Sequence, residues 1–314
     1  MKALGWIALS TLGVILSANA QTTVMGWAPV DIGSDILIKK GTPASESEFT
    51  ETVVVEFKNA TERTFCSGVL IGADAVLTAA HCGWRKLVPI RVTAASTLGQ
   101  ALNLGPLGYA RQPASGTPQV QSAAVASFEA MDSDAMTDGQ NMPGRDLMVI
   151  RLKRAFVAPA LPIAISSLAG LNEARFVRMV GFGKDGKAGS GRKLFADVPV
   201  ATPRCGSTPV PDAESCDPGS EMFARHPQEM FDSCPGDSGG PVFVRNQSGQ
   251  YRLVGITSRA SDFASQCGGG TIVSLLDGER LNWIRSRVGV QINAQPLKPE
   301  LPGPMCGLTR CATE

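Results

Sequence analysis

Ser238 and His81 are the residues of this chain whose surroundings could do chemistry together. Ser238 lies in Gly236-Asp237-Ser238-Gly239-Gly240-Pro241, and His81 in Leu77-Thr78-Ala79-Ala80-His81-Cys82. A serine hydroxyl is a weak nucleophile until a neighbouring imidazole takes its proton. Glycines on both sides of Ser238 suit a tight turn in which backbone approaches a reacting carbonyl closely. The chain holds only two histidines, which narrows the choice of base. His226, in Ala224-Arg225-His226-Pro227, has a loop-like setting without a motif and is expected at the surface. An acid must orient the imidazole and stabilise its protonated form. Asp146 opens the apolar run Leu147-Met148-Val149-Ile150-Arg151-Leu152 and is the preferred carboxylate. Asp132, Asp134 and Asp138 compete for the role, but none precedes a buried-looking strand.

The two segments resemble the paired signatures of the trypsin/chymotrypsin-like serine peptidases. Chain order agrees with that resemblance. Histidine, acid and serine follow one another as in that family, while subtilisin-like and α/β-hydrolase enzymes use other orders. The separation of 65 positions from His81 to Asp146 exceeds the family's common spacing. The resemblance implies His81 as general base and acid, Asp146 as its orienting carboxylate and Ser238 as nucleophile. It implies an oxyanion hole from the backbone N–H groups of Gly236 and Ser238, each donor worth about 3–4 kcal/mol in the transition state. Asp237 would pair with a new α-amino group after activation cleavage. Asp232, six residues before Ser238 without a gap, falls where trypsin-like members place the acid of the primary pocket. A buried carboxylate there favours a substrate Lys or Arg, because either charge is costly to bury alone. Ser258 and the glycines at 268–270 would also belong to that pocket. Arg259 stands where the family usually has a flat apolar residue, which puts a cation in the extended subsites.

The elements that must hold these residues are short and β-like. Apolar runs at 52–57, 68–71, 75–77, 147–150, 178–181, 241–244 and 252–256 alternate with Gly and Pro punctuation. Such a pattern predicts a sandwich or barrel, not βαβ units. One helix is expected, from about Leu276 to Val288, with Leu281, Ile284 and Val288 at helical spacing. The resemblance covers residues 38–288 and implies an all-β fold of two antiparallel six-stranded barrels closed by this helix. His81 and Asp146 would lie on the first barrel and Ser238 on the second. Residues 103–144, rich in Gly, Pro, Ala and Ser with weak periodicity, read as long surface loops. Residues 289–314 read as a Pro-rich appended tail.

Composition sets the context. A net charge of +1 gives no electrostatic case for a nucleic-acid or membrane-surface partner. Lys2, the apolar run Leu4–Leu16 and the small residues Ala18-Asn19-Ala20 read as a secretory signal over residues 1–20. A secreted or periplasmic location follows, where disulfides persist. The eight cysteines are an even number. By the resemblance, Cys66 pairs with Cys82 and Cys234 with Cys267; Cys205 and Cys216 remain as a local pair in the second barrel, and Cys306 and Cys311 for the tail. The family's usual partner position is lost at Met222-Phe223-Ala224. Ile38-Lys39-Lys40-Gly41 resembles the family's mature start, which makes residues 21–37 a candidate propeptide. Leu37 precedes that start, so an activating protease other than a Lys/Arg-specific one is an expected partner. Asn59 and Asn246 fit glycosylation sequons. The expected function is a secreted, monomeric endopeptidase acting on proteins or peptides without metal or cofactor. The alternative is a catalytically silent member that binds a partner through the same fold.

Overall fold

The computed structural model describes residues 41–102, 120–138, 144–158, 171–183, 192–206, 216–226, 233–245, 249–261 and 269–289. The expected signal segment, the propeptide with Ile38, Asp232, Asn246, Cys267, Cys306 and Cys311 lie outside these residues. Among the described residues, no helix is long and apolar enough to cross a membrane.

Strands β1 (Thr42–Pro43), β2 (Thr52–Lys58), β3 (Arg63–Gly72), β4 (Ala75–Thr78) and β5 (Val88–Ala94) come first. Helix α1 (Leu98–Leu102), β6 (Gln121–Ala130), helix α2 (Ala135–Asp138) and β7 (Met148–Leu152) follow. Then come β8 (Phe176–Gly181), β9 (Leu194–Thr202), β10 (Glu221–Ala224), β11 (Pro241–Arg245), β12 (Tyr251–Ala260), β13 (Thr271–Leu275) and helix α3 (Gly278–Val288). The first six-stranded barrel runs β2-β3-β4-β7-β6-β5 and closes through β5 on β2. The second runs β8-β9-β10-β13-β12-β11 and closes through β11 on β8, with β1 added beside β9. All the pairings are antiparallel, and closure leaves no long open edge within either ring.

β-Branched and aromatic side chains explain why these runs extend and face inward. Val53, Val55, Phe57, Val69, Ile71, Val76 and Leu77 are fully or almost fully buried in the first barrel. Val177, Met179, Val198, Met222, Val242, Val254 and Val273 fill the second. Each such side chain contributes about 1.5–3 kcal/mol on burial. The first cluster also takes in Phe243, Leu253 and Ile256 from β11 and β12, and Leu281 and Ile284 from α3. One apolar body therefore links the two barrels. Helix α3 begins at Asp277, whose side chain accepts the Arg280 N–H, and carries Glu279 in its first turn and Arg285 and Arg287 in its last. Those signs complement the helix dipole.

Two expectations need correction. Residues 103–144 are not all loop, because Gln121–Ala130 form β6 between β5 and β7. Of this strand only Ser122 and Ala123 are buried, so its sequence carries little apolar alternation. Its conformation comes from two ladders of backbone hydrogen bonds with its neighbours. His226 is not at the surface. It follows β10 and is buried, with only 8 % of its surface exposed, because the Arg225 N–H bonds to the Pro199 carbonyl and draws the strand end against β9.

Candidate active site

Strand register brings the candidate residues to one end of the barrels. Thr78 at the end of β4 pairs with Met148 at the start of β7. His81 lies three residues beyond the first and Asp146 two residues before the second, so an antiparallel ladder sets them side by side. The disulfide between Cys66 on β3 and Cys82 ties the short 3₁₀ segment carrying His81 to the barrel wall. On the second barrel, Pro241 at the start of β11 pairs with Ile256 on β12. That register puts Ser238 and Ser258 at the matching end of the second barrel.

The side chains then form a continuous chain of hydrogen bonds. The Asp146 carboxylate is fully buried and accepts from the His81 backbone N–H at 2.9 Å and from Nδ1 of its ring at 2.8 Å. With Nδ1 protonated toward Asp146, Nε2 is left to accept from the Ser238 hydroxyl at 2.9 Å. The Ser258 hydroxyl donates to the same Asp146 oxygen as Nδ1, at 2.6 Å. Ser258, expected in the primary pocket, thus spends its hydroxyl on the acid. Asp132 and Asp134 lie apart from this constellation, with Asp132 accepting the Asp134 N–H in a local turn.

Electrostatics divide the roles. Burial by itself would raise the Asp146 pKa, but attraction to His81 and the bonds from His81 and Ser258 lower it to about 2. Burial pulls the His81 pKa down, and the Asp146 charge and hydrogen bond overcome it, so the net shift is upward from 6.5; the Arg259 charge opposes that rise. Asp146 therefore stays ionised while His81 titrates. That combination lets the imidazole hold a proton taken from a neighbouring hydroxyl.

The loop around Ser238 is held by its carbonyls. The Ser67 N–H on β3 donates to the carbonyls of Gly236 at 3.1 Å and Ser238 at 3.0 Å, and its hydroxyl donates to Gly236 at 2.9 Å. Among the described residues, the backbone N–H groups of Gly236 and Ser238 have no protein acceptor. Gly239 has φ +77, a left-handed conformation that L side chains resist, and a Cβ there would strike Thr78 and Ser67. Asp237 is 1 % exposed; its Oδ1 accepts the Gly183 N–H at 2.7 Å and its Oδ2 the Cys234 N–H at 2.9 Å.

The segment leading to Ser238 is anchored as well. Ser233 is buried and bonds through its hydroxyl to Thr271 on β13 at 2.7 Å. The Cys205–Cys216 disulfide is formed. Cys234 is also disulfide-bonded, and its expected partner Cys267 lies outside the described residues, as does Asp232.

Sequence reasoning missed Ser67, Glu221 and Arg280. Glu221 on β10 is fully buried and forms a double salt bridge to Arg259, at 2.6 and 2.8 Å. It also accepts the Gly144 N–H at 2.9 Å and the Asp217 N–H at 2.7 Å. A buried acid in an otherwise apolar strand, Glu221-Met222-Phe223-Ala224, is the one local signal that could have flagged it.

The model of the Trypsin family matches residues 38–275 of this chain. A trypsin-like protease of Streptomyces glaucescens is 30 % identical over 235 residues, which cover 72 % of this chain and 73 % of that protein. Coagulation factor XII of Sus scrofa is also 30 % identical, over 66 % of this chain but only 32 % of its own length. Phenoloxidase-activating factor 1 of Holotrichia diomphalia is 25 % identical over 87 % of this chain and 76 % of its own. With the family model spanning most of its length, the chain belongs to the trypsin family.

Proposed function

We propose that this protein is a serine endopeptidase that cleaves after Lys or Arg through an acyl-enzyme at Ser238. The observation that carries the reading is the unbroken chain Ser238–His81–Asp146, at 2.9 and 2.8 Å. In the first step the Ser238 oxygen bonds to the substrate carbonyl carbon while His81 Nε2 takes the hydroxyl proton. The carbonyl oxygen becomes an oxyanion facing the N–H groups of Gly236 and Ser238. The C–N bond then breaks, the Nε2 proton goes to the leaving amine, and the acyl group remains on Ser238. Water repeats the sequence and frees the acid. The disulfides among the described residues fit action in an oxidising compartment.

Preference for Lys or Arg rests on Asp232, which the gap-free approach to Ser238 assigns to the pocket floor. Peptides that differ only in the residue before the cleaved bond should be cut after Lys and Arg. Asp232→Ser should abolish that preference while a sulfonyl fluoride still labels Ser238. A preference for Phe, Leu or Ala in the unaltered protein would overturn the pocket assignment and leave the peptidase reading standing.

Activity is also proposed to need cleavage near Ile36–Ile38. Asp237 lies in a buried cradle of backbone N–H groups, where a newly made ammonium would find a charge partner. Leu37 is a poor site for a Lys/Arg-specific enzyme, so cleavage by another protease is expected. Amino-terminal sequencing of the active species is the test, and an active form beginning at Gln21 would end the zymogen idea.

A further inference from the structure

The fully buried carboxylate of Glu221 forms an ion pair with the partly exposed Arg259 that no catalytic step uses, yet it touches the segment carrying Asp146. The Gly144 backbone, two residues before Asp146, is gripped on one side by β10 of the second barrel and on the other by helix α3. Glu221 accepts its N–H at 2.9 Å, and Arg280 on α3 donates through Nε to its carbonyl. Arg280 is itself fixed to Asp277 at 2.8 Å. Glu221 holds Arg259 at both guanidinium ends, and the preceding residue, Ser258, donates to Asp146. The links run in a ring from Gly144 through Glu221, Arg259 and Ser258 to Asp146. Every tie from the first-barrel segment Gly144–Asp146 in this ring is to β10, β12 or α3.

We propose that Glu221 and Arg259 are positioning residues, which dock the Asp146 segment on the second barrel and fix a cation near His81. The inference rests on the peptidase reading only for its kinetic readout. Among the described residues, Asp146, from the segment before β7, bonds the His81 ring at 2.8 Å, and Arg259, from β12, has Nη1 3.5 Å from the Ser258 hydroxyl that donates to the same carboxylate, so its charge acts on His81 from one hydroxyl further out. Glu221 on β10 and Arg280 on α3 surround the Gly144 peptide, and Asp217 bonds to Ser220 beside it. Arg259 opposes protonation of His81, and Glu221 offsets part of its field. The pair thereby limits how far Asp146 draws a proton onto the ring. A peptidase base must be neutral to accept a proton, so the pair extends activity toward lower pH.

Charge removal from each member should act with opposite sign. Arg259→Met removes the opposing cation, so the His81 midpoint and the acid limb of kcat/KM should move to higher pH. Glu221→Gln keeps an acceptor for the Gly144 N–H but removes the negative charge that faces Arg259, so both should move to lower pH. Shifts of a few tenths of a unit to about one unit are expected. Arg259→Lys retains the charge and should stay near the unaltered midpoint. With two histidines in the chain, proton NMR reads the His81 midpoint directly, assigned by its loss in His81→Ala. Opposite displacements support the pair. Displacements of one sign, or midpoints that do not move in the folded variants, overturn it. If the unaltered protein neither turns over substrate nor reacts with a serine probe, the peptidase reading fails and the NMR midpoints still decide the pair.

Discussion

Ser238→Ala in correctly processed protein should lower turnover by about five to six orders of magnitude, with substrate binding little changed. Among the described residues, the hydroxyl is the group that meets His81 Nε2, at 2.9 Å, and alanine removes it without disturbing the loop. The loop's shape comes from the Ser67 bonds to the Gly236 and Ser238 carbonyls, which the substitution leaves intact. His81→Ala should cost a similar amount, because nucleophile and base act as one unit and their losses do not add. Steady-state kinetics on a peptide substrate, with circular dichroism to show a retained fold, is the measurement. Near-normal turnover in either variant refutes the assignment.

Asp146→Asn should lower turnover by about 10⁴-fold. Asp146 accepts from three donors: the His81 N–H, its ring Nδ1 and the Ser258 hydroxyl. An asparagine offers one oxygen acceptor and one NH₂ donor to those positions. If the NH₂ faces the ring, Nδ1 must become the acceptor. The proton then moves to Nε2, which can no longer take one from Ser238. The pKa of about 2 has a second consequence. A carboxylate depressed from 3.8 in the folded chain contributes stability that is present above about pH 4 and lost as pH falls toward 2. The asparagine variant should therefore lose less stability over that window, as acid unfolding followed by circular dichroism would reveal. If Asp146→Asn is harmless while Asp132, Asp134 or Asp138 proves essential, the acid is misassigned.

Much of the architecture was legible because barrel strands carry their own signal. Runs such as Thr52–Lys58 and Pro241–Arg245 combine β-branched residues with burial on closed sheets. The terminal helix appears two residues later than its apolar spacing suggested, since Asp277 supplies the cap that sets the start. β6 was illegible for the opposite reason. An Ala- and Ser-rich strand has little side-chain preference, and its ladders with β5 and β7 decide its conformation. His226 shows the same limit, because its burial follows from how the end of β10 packs and not from the residues beside it in the chain.

Sequence alone was enough to pick out which residues could react and in what order they come. Those frames depend on backbone within a few residues: glycines around Ser238, Cys82 beside His81, an apolar strand after Asp146. It also determined membership of the trypsin family, since motif and order act together. What surrounds Asp146 emerges only on folding. Ser258 reaches it from 112 residues away, and the grip on Gly144 comes from Glu221 and Arg280, 77 and 136 residues away. Arg259 reads in the sequence as a cation in the extended subsites, but in the fold a fully buried carboxylate holds it. A charge takes its meaning from the partner that folding places against it, and no local pattern encodes a partner on another strand.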